Sequence, residues 1–87
     1  MNQLYVLGKL VEYGPMTTSE IVDRFVKPAS YERNVAMVCT IQRLKALSRS
    51  GCVVNLGDVP CKGGRTKLWE ATEDGRRHYE LNKEVKT

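Results

Sequence analysis

The chain has 87 residues, with 14 lysines and arginines against 10 aspartates and glutamates, for a formal charge of +4. A chain of this size buries only roughly 60–65% of its unfolded surface around one modest core, which argues against a multi-step enzyme carrying its own cofactor domain. Mild positive charge favours polyanionic partners, and its placement matters more: acids sit mainly at Glu12, Glu20, Asp23, Glu70, Glu73, Asp74, Glu80 and Glu84, while Arg33, Arg43, Lys45, Arg49, Lys62, Arg65 and Lys67 gather in the middle.

Leu4, Leu7, Leu10 and Val11 recur at helical spacing, so residues 2–13 are predicted as a first amphipathic helix, ended by Gly14-Pro15. Thr17 and Glu20 have the spacing of a capping box, in which side chain and backbone satisfy each other's exposed groups, and they open a short second helix over residues 18–26. Ile21, Val22 and Phe25 supply its inward face. Lys27-Pro28-Ala29-Ser30 interrupts the helical pattern, because proline disfavours helical geometry at the residue before it, and Ser30 can cap the next helix.

A third helix is predicted over residues 31–50. At roughly 100° per residue, Met37, Ile41, Leu44 and Leu47 share the inward side, with Val38 and Thr40 at its margins. The other side carries Tyr31, Val35, Cys39, Gln42, Ala46 and Arg49, flanked by Arg43 and Lys45. Gln42 and Arg43 offer paired hydrogen-bonding groups to base edges, and Lys45 and Arg49 suit phosphates. Val35, Cys39 and Ala46 can contact thymine methyls or seat a protein partner.

Gly51 stops the third helix, and the pattern switches to the period of a strand over residues 52–56, with a partner strand over residues 66–71, the two forming a hairpin of residues 52–71. The loop between them ends in Lys62-Gly63-Gly64-Arg65, a glycine pair that lets the backbone approach a phosphate, bracketed by two cations. Trp69, the only tryptophan, alternates with Leu68 and Glu70 and is expected to pack inward. Thr72 caps a final helix predicted over residues 73–83, and Tyr79, His78, Leu81 and Val85 are available to dock on the domain or on a second copy.

No apolar run reaches the roughly 18–20 residues that span a bilayer, and the N-terminus lacks a signal-peptide pattern, so a cytoplasmic location without membrane contact is expected. Cys39, Cys52 and Cys61 are odd in number, and with His78 they form none of the close pairs that structural zinc prefers, so no metal and no cofactor is expected. No nucleophile-base pairing, phosphate-binding motif or carboxylate pair has recognisable spacing, so the chain is not expected to be an enzyme.

The order of helix, capped short helix, turn, long helix, strand, basic glycine tip and strand resembles the winged helix-turn-helix superfamily of DNA-binding domains over roughly residues 4–80. LKALSRSGCVV looks like the end of a recognition helix, and LWEATEDGRRHYE is similar to the strand-to-helix exit of small bacterial regulators. The connection over residues 26–30 is longer than the tight turn usual for the motif.

The resemblance implies one α+β, mainly helical domain over residues 1–87, with three helices, a two-stranded hairpin wing and a C-terminal helix. It implies a sequence-specific regulator of transcription, from a phage or a bacterial operon, binding double-stranded DNA. Tyr31, Arg33, Gln42, Arg43, Lys45 and Arg49 would then act from the recognition helix, and Lys62, Gly63, Gly64, Arg65 and Lys67 from the wing. Limited contact from one module suggests a homodimer on two half-sites, formed through the last and first helices. The alternative from another class is an adaptor of the same fold that binds a protein.

Overall fold

The computed structural model describes residues 2–26, 32–61 and 64–84. Tyr31, Lys62 and Gly63, the turn at residues 27–30 with its Ser30 cap, and Val85 lie outside the described residues. The architecture is α+β and mainly helical, with four helices and a three-stranded antiparallel sheet.

Helix α1 spans Gln3–Tyr13. Its first turn is closed by Asn2, whose side-chain oxygen accepts from the Tyr5 N–H at 2.8 Å, and its last by the Gly14 N–H donating to Leu10 O at 3.0 Å. Val6, Leu7 and Leu10 are fully buried. Strand β1 is only Met16–Thr17, and Thr17 is also the cap of α2, Thr18–Ile21. Both halves of the expected capping box form: the Glu20 N–H donates to Thr17 Oγ1 at 3.0 Å, and the Thr17 N–H to Glu20 Oε1 at 2.9 Å. The helix continues as a π-helical turn over Val22–Val26.

Helix α3 spans Arg33–Arg49, and its N-cap Glu32 makes no side-chain capping bond. Its inward face is rotated from the expected one. Thr40, Leu44 and Leu47 are buried, Met37 and Ile41 are half-buried, and Val38 is 54% exposed. The cause is lateral packing: α1 lies along one side of α3, while Met37 and Ile41 turn toward Arg65 and Lys67 of the hairpin.

The sheet corrects the two-stranded expectation. Strand β3, Gly64–Ala71, is central, with β1 on one side through Met16 opposite Trp69 and Thr17 opposite Leu68, and β2, Val53–Cys61, on the other. Residues 57–61, expected as loop, are paired strand. Gly57 takes a positive φ of 114° at a bulge that leaves Leu56 without a partner, and Pro60 is tolerated because β2 is an edge strand and needs no outward N–H.

Two long-range hydrogen bonds hold α2 to β3. Trp69 is 2% exposed and its Nε1–H donates to Thr18 Oγ1 at 2.9 Å, and the Ser19 N–H donates to Thr66 Oγ1 at 3.3 Å. The core joins these residues to α1, α3, Cys52, Val53 and Ala71.

Helix α4, Glu73–Glu84, starts where Thr72 Oγ1 accepts from the Gly75 N–H at 3.0 Å. Gly75 packs so closely that a Cβ there would lie 2.0 Å from Cys52 O. Tyr79 lies against Gly8, and its hydroxyl donates to Glu12 at 3.3 Å, so α4 docks on α1 of its own chain. His78 and Leu81 stay exposed. No described helix is long and apolar enough to cross a membrane.

Candidate nucleic-acid interface

Two elements converge beside the buried face of Trp69. Lys45, Ser48 and Arg49 come from the C-terminal half of α3, and Asn55, Lys67 and Trp69 come from the hairpin; together they line one cleft. On a helix, positions 45, 48 and 49 share a side because they are three or four residues apart. On β3, Lys67 and Trp69 share a face because alternate strand residues do. The cleft thus collects three cations from two elements over a buried indole.

A second concavity continues along the same flank of α3, lined by Met37, Ile41, Thr18, Asp58, Arg65, Thr66 and Lys67. Asp58 partly offsets the hairpin cations there: Lys67 Nζ lies 3.5 Å from its carboxylate, and Arg65 Nη2 donates to its backbone carbonyl at 3.1 Å. Both contacts are exposed, where ion pairs contribute little, so the two side chains are available to a polyanion at small cost.

Arg43 belongs elsewhere. It is half-buried, its Nη1–H donates to Cys39 O at 3.3 Å, and with Gln42 it lines a concavity formed by Asn2, Gln3, Leu4 and His78. At roughly 100° per residue, Arg43 and Lys45 leave α3 about 160° apart. The structure therefore separates Arg43 from Arg65 and Lys67, correcting the expectation that they share one surface. Gln42 is exposed between the two flanks.

Arg33, at the start of α3, is half-buried and ion-paired with Asp23 of the π-helical turn, beside Pro60 and Cys61 near the hairpin end. Val35 and Val38 are 65% and 54% exposed, while Cys39 and Ala46, expected on the open side with Val35, are half-buried. Of the hairpin tip, Gly64 and Arg65 are exposed. Among the described residues no group of three or more His, Cys, Asp or Glu side chains is arranged to hold a metal ion. Cys52 is buried in the core, and Cys39 and Cys61 are half-buried.

Ser48 and Asn55 are cleft residues beyond those expected from the residue pattern. For Ser48 the spacing from Lys45 is a usable signal. For Asn55 none exists, since its position beside Lys67 and Trp69 depends on the register of β2 against β3, where Asn55 stands opposite Trp69. Comparison of the chain with protein-family models, with curated proteins and with solved structures finds no match.

Proposed function

We propose that the chain is a winged helix-turn-helix protein that binds double-stranded DNA sequence-specifically and regulates transcription, as a homodimer without catalytic activity. The reading is carried by one observation: Lys45 and Arg49 of α3 share a cleft with Lys67 of the hairpin. A helix and a hairpin that face one groove with cations can hold phosphates on both sides of it while the helix addresses base edges. In this reading Gln42 and Val38, exposed on α3, contact bases, and Lys45, Arg49, Lys67 and Arg65 hold phosphates. Arg43 is assigned to the flank near α1, outside the base-reading surface.

The test is a duplex selection with the full chain at near-physiological salt. A recovered motif whose half-sites lie about one helical turn apart supports the reading. Binding without a motif, or binding indifferent to salt, rejects it.

The adaptor reading also has a specific observation behind it. Val35 and Val38 place two branched apolar side chains in water on α3, a feature that suits a protein surface as well as thymine methyls. Salt-insensitive association with one protein, lost in Val38→Asp, would favour it.

A further inference from the structure

On α1, a cluster of aromatic and cationic side chains takes no part in the cleft. Lys9 Nζ lies 5.0 Å from the Tyr5 ring centre, 5.8 Å from Tyr13 and 5.1 Å from Phe25. The Arg24 guanidinium carbon lies 5.0 Å from Tyr13 and 5.2 Å from Phe25, and these two rings are themselves 5.3 Å apart. The arrangement arises from two local structures. Tyr5, Lys9 and Tyr13 are spaced by four along α1 and so form one stripe, and the wide π-helical turn carries both Arg24 and Phe25 to the Tyr13 end of it.

The two cations differ in what remains for a ligand. Lys9 is covered by three rings and sits 3.5 Å from the Glu12 carboxylate, so its charge is already answered. Arg24 is exposed, and among the described residues its polar partner is the Met16 thioether at 3.8 Å, with no carboxylate. The two rings hold the guanidinium in place, and with Nη1 given to Met16 Sδ its Nε and Nη2 donors have no partner among the described residues, an edge that suits a carboxylate gripped by two parallel hydrogen bonds. Tyr13, 53% exposed, supplies apolar area beside that edge, and Tyr5, 40% exposed, extends the aromatic stripe along α1 past Lys9.

We propose that the surface formed by Tyr5, Lys9, Tyr13, Arg24 and Phe25 docks an acidic segment of a partner protein, in which an Asp or Glu side chain meets Arg24 and a neighbouring apolar side chain rests on Tyr13. Tyrosine and arginine are the residues that anchor protein interfaces most often. A single cation left unanswered matches one carboxylate, whereas a nucleic-acid strand offers a row of charges and would meet Glu12 beside it. The surface is independent of the DNA-binding reading.

The test is a display selection of random short peptides on the purified full chain, with affinity measurements on the enriched sequences. Enriched peptides are expected to share an Asp or Glu next to an apolar residue. Their affinity should fall about tenfold on Arg24→Ala, and by a similar factor when the peptide's acid is changed to its amide, a control that cannot disturb the protein's fold. Arg24→Lys should not restore it, because an ammonium lacks the planar fork. Enrichment without an acid, no enrichment, or equal affinity for the amide peptide overturns the proposal. So does Arg24→Ala weakening duplex DNA as much as Lys45→Ala, which would assign the surface to nucleic acid.

Discussion

The cleft between α3 and the hairpin and the patch on α1 both carry cations, but they hold them by different means. In the cleft, Lys67 is tethered by one exposed ion pair to Asp58, an interaction that water and salt already weaken. In the patch, Lys9 and Arg24 lie over aromatic rings that hold them in place. Loosely tethered charge adapts to a polyanion whose phosphates are many and roughly equivalent. Charge held in place selects a single group of defined geometry. The contrast teaches that a net charge of +4 says little until each cation's surroundings are known.

The largest loss in either region is expected from Leu44→Ala. Leu44 is fully buried beneath α3 in the core that also seats α1, so a cavity there should cost roughly 2–5 kcal/mol and weaken both regions together. Urea denaturation measures it, and a loss under about 0.5 kcal/mol would show that α3 does not depend on this core.

Next comes the division between the two flanks of α3. Gln42→Ala should cost about 1–3 kcal/mol at particular base pairs, while Arg43→Ala should stay within about 0.5 kcal/mol, since Arg43 turns toward Cys39 O. Binding to a panel of single-base duplex variants separates the two; equal effects would put Arg43 back on the reading surface.

Thr40→Val tests the core that the regions share. Thr40 is fully buried and its hydroxyl has no hydrogen-bond partner among the described residues, so a methyl of similar shape should stabilise the fold by about 1 kcal/mol. A higher urea midpoint with an unchanged slope is the expected result, and a lower midpoint would reveal a partner for the hydroxyl.

The smallest effect is also the most discriminating. Lys45→Ala or Lys67→Ala should each reduce the slope of log affinity for DNA against log salt by about 1, through loss of one phosphate contact, whereas Arg24→Ala should leave that slope unchanged. An identical change in all three variants would erase the distinction between cleft and patch.

Where a structural feature depends on residues within one turn of each other, it is legible without any coordinates. Thr17 with Glu20 and Thr72 before α4 are such cases, because a cap is completed by groups three residues away. Strand β1 is not legible, since two residues carry no period and Met16–Thr17 becomes a strand only by lying beside Leu68 and Trp69. Gly57 and Pro60 mislead in the opposite direction. They are turn formers locally, yet the first sits at a bulge and the second on a sheet edge, both consequences of pairing.

The candidate surfaces divide in the same way. The concentration of cations in the third helix and hairpin is written in the order of residues, as is the inward packing of Trp69. Which cations meet is not: Lys45 joins Lys67 and Arg43 does not, because α3 is wedged between α1 and the hairpin and its rotation is set by both neighbours. Caps and periodicities are short-range and belong to the chain alone. Register, helix rotation and the meeting of Arg24 with Tyr13 join residues beyond one turn of each other, and packing of the whole core chooses among arrangements that local preference leaves equivalent.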